Sequence, residues 1–246
     1  MEVRWLEQTL AEVRAEADWL SPHERERIAG MRIAKRRQDW RLGRWTAKNA
    51  VAAFLELPVN PSTLAAIEIR PADSGAPQVV FKNEPAAISI SISHRDGCAA
   101  CAIASAGTVL GCDLEVVEPR CDAFVTDYFT PEERELVTQT PEAERFRILA
   151  LLWSAKESTL KALRSGLRLD TRCVAVELGV DSAAPFPLRE SSLSGAWHPL
   201  RTRYLDEQVF HGWWQVSGEI VRTMVSAPAA GPPVRLELAA VGRAGL

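Results

Sequence analysis

Residues 153–161 read Trp-Ser-Ala-Lys-Glu-Ser-Thr-Leu-Lys, and a related stretch, Trp-Thr-Ala-Lys-Asn-Ala, occupies residues 45–50. A second pair precedes them: Trp-Leu-Ser-Pro-His-Glu-Arg at 19–25 and Tyr-Phe-Thr-Pro-Glu-Glu-Arg at 128–134. The two pairs occur in the same order, and their spacing agrees within one residue. We therefore interpret the chain as a diverged internal duplication, and this repeat decides the predicted fold.

Each half is predicted to begin with two helices and to continue with strands. Ser21 and Thr130 each precede a proline and are followed three residues later by glutamate, which is the pattern of a capping box. Hydrophobic periodicity predicts helices at 22–33, 36–56, 131–139 and 142–164. It predicts strands at 65–70, 78–82, 87–94, 99–105, 109–117, 171–179, 202–206, 209–217 and 219–226.

The duplication predicts an α+β fold of two similar subdomains related by a pseudo-twofold axis, with the active site in the cleft between them. The N-terminal half covers residues 1–107 and the C-terminal half covers 108–227. Residues 228–246 are predicted to be a flexible or loosely packed tail, and the Pro- and Ser-rich stretch 185–194 a loop. Glu157 corresponds to Asn49, so the carboxylate of the repeated motif is present in one half only.

Bulk composition excludes several classes of protein. The chain has 246 residues, 47% of them hydrophobic and 25% charged, which is ordinary for a globular protein. A net charge of −3 gives no reason to expect nucleic acid as a partner. The sequence contains no apolar run of membrane-spanning length and no signal-peptide core, and its five scattered cysteines do not form a disulfide pattern. We expect a cytoplasmic protein without a membrane or nucleic-acid partner.

Three carboxylates and a lysine are candidates for one site. Asp113 and Glu115 lie two apart on a predicted apolar strand, so their side chains share a face. Glu157 and Lys161 lie four apart on a predicted helix and also share a face. The same spacings occur in solvated carboxylates on half-exposed strands and in surface ion pairs. If the groups meet, their oxygens suit Mg²⁺, which commonly binds carboxylates together with phosphates.

Three blocks together resemble a known family. Gly-Cys-Asp-Leu-Glu at 111–115, the Trp-x-x-Lys-Glu-x-x-x-Lys of residues 153–161, and Ile-Ser-Ile-Ser-His at 90–94 are similar in order and spacing to the signature of the 4′-phosphopantetheinyl transferases of the Sfp-like type. The resemblance covers about residues 20–180. It implies a Mg²⁺-dependent holo-[acyl-carrier-protein] synthase that transfers the 4′-phosphopantetheine arm of coenzyme A to a carrier-protein serine and releases adenosine 3′,5′-bisphosphate.

The resemblance also implies roles for individual residues. The metal, Mg²⁺ with Mn²⁺ as an alternative, would be held by Asp113, Glu115 and Glu157. Glu157 would be the general base, and Lys161 would offset phosphate charge, so these two are the catalytic candidates. Lys156 and Lys161 would both contact the phosphates of coenzyme A, the donor substrate.

Further contacts to coenzyme A are expected from the first half. Ser93 and His94 match the Ser-His block, although a histidine that caps a loop is an equal alternative. Arg37, Arg41, Arg44 and Lys48 recur at helical spacing, which is typical either of a solvated cationic stripe or of a phosphate-binding face. We select Arg37, Arg44 and Lys48 as cofactor-binding, with Arg44 the strongest candidate because arginine suits phosphate.

The expected partners are coenzyme A and an apo acyl, aryl or peptidyl carrier protein of fatty acid, polyketide or nonribosomal peptide biosynthesis. A two-half chain of this type is expected to be a monomer. Two other functions stay open: a non-catalytic module that binds coenzyme A or a carrier, and a different Mg²⁺-dependent nucleotide hydrolase. The second would more naturally carry a Gly-rich phosphate loop, and the sequence contains no Gly-x-x-x-x-Gly-Lys-Ser/Thr motif.

Overall fold

A computed structural model describes residues 1–179, 195–205 and 207–238. Contacts within the chain divide it into two compact units. The C-terminal unit comprises Met1–Val3 with the described residues of Thr108–Pro233, and the N-terminal unit comprises Arg4–Gly107 with the described residues that follow Pro233. Both units combine helices with mainly antiparallel sheet, which confirms the predicted α+β class.

The helices and strands are numbered in chain order. They are β1 (Arg4–Thr9), α1 (Pro22–Ala29), α2 (Ala34–Phe54), α3 (Pro61–Ala66), β2 (Ile67–Pro71), β3 (Pro77–Phe81), β4 (Glu84–Pro85), β5 (Ile88–Arg95), β6 (Cys98–Ser105), β7 (Val109–Val116), α4 (Asp122–Tyr128), α5 (Pro131–Gln139), α6 (Arg145–Ala162), β8 (Val174–Leu178), β9 (His198–Tyr204), β10 (Gln208–Ser217), β11 (Ile220–Ala227) and β12 (Val234–Arg235). Across the described residues, none of these helices is both long and apolar enough to cross a membrane.

The N-terminal unit is built on α2 and a four-stranded sheet. The strand order is β12-β1-β6-β5, and β2, β3 and β4 form a separate three-stranded sheet. Helix α2 packs on β1 and β6 because its apolar face, which includes Ala47 and Val51, is fully buried in the core with Ile103 of β6.

The C-terminal unit is built on α6 and a five-stranded sheet in the order β7-β11-β10-β9-β8, antiparallel throughout. Helix α6 packs mainly on β7 and β11. Leu151 of α6 is buried in one cluster with Phe210 and Val225 of the sheet. The first half of α6 is largely apolar, and its polar side chains concentrate in the last turns, where Glu157 and Lys161 belong to the candidate site.

The predicted helices that begin at Pro22 and Pro131 are confirmed, and each starts with the expected capping box. Sequence patterns did not predict β1, α3 or α4. Strand β1 was missed because the buried side chains Trp5, Leu6 and Gln8 do not follow a strict alternation. Helices α3 and α4 have six and seven residues, too few for helical periodicity to be recognised.

The prediction of a loosely packed tail is wrong at residues 234–236. Strand β12 pairs in parallel with β1, the backbone N–H of Leu236 donates to the carbonyl of Trp5 at 2.7 Å, and the Leu236 side chain is buried. Strand β12 pairs with the edge strand β1, whose outer backbone groups would otherwise be unpaired. Residues 239–246 and the predicted loop at 185–194 lie outside the described residues.

A buried lysine–glutamate pair occurs in each unit and connects the two repeated motifs. In the C-terminal unit, Lys156 Nζ lies 2.8 Å from Glu133 Oε2, and Glu133 Oε1 accepts a hydrogen bond of 3.0 Å from the backbone N–H of Val176. Glu133 is also the capping-box glutamate of α5. One carboxylate therefore fixes the start of α5, the long helix α6 and strand β8.

The N-terminal unit repeats this arrangement. Lys48 Nζ forms an ion pair with Glu24, the capping-box glutamate of α1, whose Oε1 accepts the N–H of Ile69 at 3.2 Å. Lys48 also donates to the carbonyl of Trp19. The equivalent pairs agree with the duplication predicted from the sequence.

The burial of these lysines corrects two site assignments. Lys48 and Lys156 are both 0% exposed, and each ammonium group is held by a glutamate and a backbone carbonyl. Their selection as cofactor-binding residues is wrong because neither reaches solvent. Burial lowers the pKa of both lysines, and the partner glutamates oppose that shift.

We expect Lys156→Met to destabilise the protein by about 3–5 kcal/mol, because it leaves the Glu133 carboxylate buried without a counter-charge. The free energy of unfolding, measured by urea denaturation at pH 7.5, checks this. The double variant Lys156→Met/Glu133→Gln removes the charge as well and should recover part of the loss. Equal losses in the single and double variants would contradict a role for the ion pair.

Candidate active site

The site in the C-terminal unit begins where α6 crosses β7. A Cβ atom at Gly111 would lie 1.8 Å from the backbone oxygen of Ser158 and 2.9 Å from the backbone nitrogen of Ala162. The helix backbone therefore rests directly on the strand at Gly111, an approach that only glycine permits. This contact brings the polar side chains that follow on β7 next to those on the last turns of α6.

Lys161 connects the two elements. Its Nζ lies 2.6 Å from Asp113 Oδ1 and donates to the carbonyl of Cys112 at 3.1 Å. Burial alone would lower the pKa of Lys161, but the charge of Asp113, followed by Cys112, the hydrogen bond to Asp113 and the charge of Glu157, outweighs burial and raises it. Lys161 is therefore a cation held among carboxylates rather than a surface lysine.

The pKa of Glu157 is strongly raised in this site. This pKa is raised to about 7: burial is the largest cause, the negative charge of Asp113 adds to it, Lys161 partly opposes both, and Glu115 contributes a smaller increase. A carboxylic acid with a pKa near 7 exchanges its proton readily at neutral pH. The structure thus brings Asp113, Glu115, Glu157 and Lys161 into one electrostatically coupled group.

Glu115 has a second basic neighbour that the sequence patterns did not predict. Its Oε1 accepts the backbone N–H of Val116 at 3.0 Å and lies 3.3 Å from Arg120 Nη2. Arg120 also lies 3.0 Å from Glu118 and over the ring of Phe124. Arginine in the irregular segment after β7 belongs to no periodic pattern, so no sequence signal marked it.

The donor chemistry of this group fits a hard divalent cation. Among the described residues, no three His, Cys, Asp or Glu side chains are already arranged to ligate a metal ion. The carboxylates nevertheless supply the oxygen ligands that Mg²⁺ prefers. A divalent cation would also relieve the repulsion that raises the pKa of Glu157.

A second candidate site lies in the N-terminal unit, in an open groove beside the start of α2. It is lined by Ile33, Lys35, Arg36, Asp39, Trp40 and His94. Helix α2 begins without a side-chain cap and has no acidic residue in its first turn. Cations at the positive end of a helix dipole are unfavourable, whereas an anion is stabilised there. Asp39 lies 3.3 Å from Lys35 and partly neutralises it, so Arg36 and the uncapped helix start carry the preference of the groove for an anionic ligand.

Arg44 lies on α2 beside Trp40, which lines the groove. Its guanidinium lies over the ring of Trp40 at 5.0 Å, and in the described part of the chain its buried Nε has no hydrogen-bond partner. Burial lowers the pKa of Arg44, Glu24 opposes this, and Arg27 adds to it. A desolvated guanidinium with an unused donor is suited to an added anion.

The remaining predicted residues of this unit have different positions. His94 is exposed and lines the groove, and its ring lies 3.9 Å from the Cβ position of Gly43. Ser93 is buried, and Arg37 is exposed but outside the groove lining. Arg41 donates to the carbonyls of the 14–16 loop, so it has a structural role.

Sequence reasoning did not select Lys35, Arg36 or Trp40 as site residues. The available signal was their position in the first two turns of α2, where basic residues oppose the helix dipole. The selection followed instead a single helical face through Arg37, Arg44 and Lys48, and the C-terminal end of that face is buried in the core.

Comparison with known proteins supports the resemblance. Residues 109–208 match the family model of the 4′-phosphopantetheinyl transferase superfamily. The chain is also 28% identical over 101 residues to the 4′-phosphopantetheinyl transferase HetI of Nostoc sp. (strain PCC 7120), a match that covers 40% of this chain and 41% of that protein. The aligned stretch is thus less than half of either chain. The family match begins at β7 and includes Asp113, Glu115, Glu157 and Lys161.

We expect Gly111→Ala to destabilise the protein by at least about 3 kcal/mol, because the added methyl group collides with helix backbone that cannot rotate away. Gly43→Ala, on helix α2 of the other unit, is the control: the nearest neighbour of its added Cβ would lie 3.6 Å away, which is ordinary contact. Since alanine is the better helix former, Gly43→Ala should stabilise by up to about 1 kcal/mol. Thermal unfolding of both variants checks the pair, and similar losses would contradict the close approach at Gly111.

We also expect Glu157→Gln to stabilise the metal-free protein above pH 7. The pKa of Glu157 is raised from 4.5 to about 7 in the fold, so the folded state binds more protons than the unfolded state between these values and stability falls as pH rises. The upper bound of the gain is about 3 kcal/mol, since one pKa unit corresponds to about 1.4 kcal/mol.

Unfolding free energies of wild type and Glu157→Gln at pH 8 and at pH 4.5, in EDTA, test this. The difference should be largest at pH 8 and small at pH 4.5. A difference that does not depend on pH would show that folding does not raise the pKa of the Glu157 carboxyl group.

Proposed function

We propose, from the superfamily resemblance and the two sites described above, that this chain transfers the 4′-phosphopantetheine moiety of coenzyme A to a serine hydroxyl of an apo carrier protein. In this reaction the serine oxygen forms a bond to the β-phosphorus, the bond from that phosphorus to the bridging oxygen breaks, and adenosine 3′,5′-bisphosphate leaves. We further propose that the chain is of the two-half, Sfp-like type and acts as a monomer in the cytoplasm.

The observation that carries the proposal is the coupled group around Glu157. Glu157, whose pKa is raised to about 7 in the metal-free fold, is the proposed acceptor of the proton of the attacking hydroxyl. Lys161, held beside it by Asp113, supplies positive charge where negative charge develops on the phosphates. Acid–base and electrostatic groups at one place are what a phosphoryl transfer requires.

Asp113, Glu115 and Glu157 would hold the divalent cation, Mg²⁺ or alternatively Mn²⁺. When bound, such an ion neutralises pyrophosphate charge and helps to orient the reacting groups. Asp113 and Glu115 are held on the same strand, β7, and Lys161 connects Asp113 to α6. The contact of α6 with β7 at Gly111 limits the movement of these side chains relative to Glu157.

The groove of the N-terminal unit is the proposed site for the nucleotide portion of coenzyme A. Lys35 and Arg36 at the start of α2, together with His94, would contact phosphate oxygens. Arg44, whose guanidinium lies over the Trp40 ring, would add positive charge beside the groove. Trp40 offers an aromatic face for the adenine ring. Arg37 was selected from the sequence as a contact to coenzyme A. We propose Arg36 in its place, because Arg36 lines the groove.

Intact-mass analysis of apo carrier proteins, incubated with this protein, coenzyme A and Mg²⁺, tests the proposal. We expect a gain of one phosphopantetheine group that EDTA abolishes. Asp113→Ala should lower the rate by more than the roughly 10- to 100-fold that loss of a residue supporting a metal ligand costs. Tight coenzyme A binding without transfer to any carrier would favour the alternative, a non-catalytic coenzyme A- or carrier-binding module.

Two neighbouring arginines supply the control for the donor site. Arg36 and Arg37 are both exposed on the first turn of α2, but only Arg36 lines the groove. Arg36→Ala should raise the KM for coenzyme A while leaving kcat nearly unchanged, and Arg37→Ala should change neither. Equal effects of the two substitutions would indicate general attraction by positive charge rather than a defined contact.

A further inference from the structure

A network of buried hydroxyl groups joins α6 to β11 beside the carboxylates. Thr223 Oγ1 lies 2.9 Å from Ser154 Oγ and 2.6 Å from Ser158 Oγ, and Ser158 Oγ also donates to the Thr223 carbonyl at 3.1 Å. All three residues are 0% exposed. One threonine of the sheet therefore holds two successive turns of the helix.

The network lies next to the candidate metal ligands. In the register of β7 and β11, Thr223 is directly opposite Asp113, so the two side chains point to the same face of the sheet. Ser158 follows Glu157 in sequence, and its backbone oxygen is the atom that approaches Gly111. The hydroxyl groups thus set where α6 lies along and above β7, at the turn that carries Glu157.

The N-terminal unit provides an internal comparison. Its helix α2 keeps the buried lysine of the repeated motif, but Asn49 replaces the carboxylate. There the counterpart of Ser154 is Thr46, whose buried Oγ1 lacks a hydrogen-bond partner among the described residues, and the counterpart of Ser158 is Ala50. The ion pair therefore occurs in both units, whereas the hydroxyl network accompanies only the unit with the carboxylates.

We propose that Thr223 is a positioning residue for the carboxylate site: its hydroxyl group, through Ser154 and Ser158, fixes α6 so that Glu157 and Lys161 face Asp113. The inference rests on the proposed function, because it concerns the cation that these carboxylates would hold. Residues that orient metal ligands typically change metal affinity or activity by about 10- to 100-fold when they are removed.

The chain offers a matched control for a purely structural effect. Thr202 of β9 is also 0% exposed, and its Oγ1 lies 2.7 Å from Thr159 Oγ1 on the same helix. Thr202→Val and Thr223→Val each remove one buried hydroxyl that holds α6 to the sheet. Thr223 is directly opposite Asp113 on the strand paired with β7, whereas Thr202 lies on β9, which does not pair with β7, so only Thr223→Val should affect the cation.

The experiment measures Mn²⁺ affinity by electron paramagnetic resonance or calorimetry, together with the thermal unfolding temperature, for wild type and three variants. We expect Thr223→Val to weaken Mn²⁺ binding about 10- to 100-fold. Thr223→Ser, which keeps the hydroxyl, and Thr202→Val should stay within about threefold of wild type, while the two valine variants lose similar thermal stability. In the transfer assay, Thr223→Val should lower kcat more than it raises the KM for coenzyme A.

Three outcomes would overturn the inference in distinguishable ways. Unchanged Mn²⁺ affinity in Thr223→Val, with wild type binding normally, would refute the positioning role and leave the proposed function intact. Equal weakening by Thr202→Val would show a merely structural effect of α6. Absence of Mn²⁺ binding in wild type would refute the metal site itself, and the positioning role with it.

Discussion

The contact of the α6 backbone with β7 at Gly111 is the constraint on which the C-terminal unit depends. A helix normally rests on a sheet through a layer of side chains that separates the two backbones. At Gly111 the side-chain layer is missing, and the Ser158 oxygen would be 1.8 Å from any Cβ atom. The short carboxylate of Asp113 can therefore meet the ammonium group of Lys161 across the interface. A bulkier residue at 111 would separate the groups whose coupling gives the site its chemistry.

The two units use the same scaffold interaction and differ in what they add to it. In each, a capping-box glutamate starts a short helix and neutralises a lysine in the middle of the long helix. A buried charge pair of this kind contributes little net stability, but it permits few alternative arrangements of the elements it joins. With the scaffold fixed in this way, the next position along the helix could diverge, to Glu157 in one unit and Asn49 in the other.

The sequence was informative where a local pattern has one physical meaning. Ser21 and Thr130, each followed by proline and then glutamate, predicted both helix starts because few other arrangements satisfy the first N–H groups of a helix. The spacing of Asp113, Glu115, Glu157 and Lys161 predicted shared faces, but only tertiary structure could bring the two faces together. Lys48 and Lys156 were misassigned for a related reason: helical spacing places a cation on a face without showing whether that face is buried, and a fully buried lysine is the rarer case.

Both candidate sites are electrostatically unfavourable as they stand, and their signs are opposite. In the C-terminal unit, burial and neighbouring carboxylates make the ionised form of Glu157 costly near neutral pH. In the N-terminal unit, basic residues occupy the positive end of α2, and Arg44 is desolvated with an unused donor. Packing alone would not select such arrangements, since each lowers the stability of the free protein. A divalent cation would supply the missing charge at the first site and a phosphate group the missing charge at the second, which is why we favour a phosphate ester over a neutral substrate.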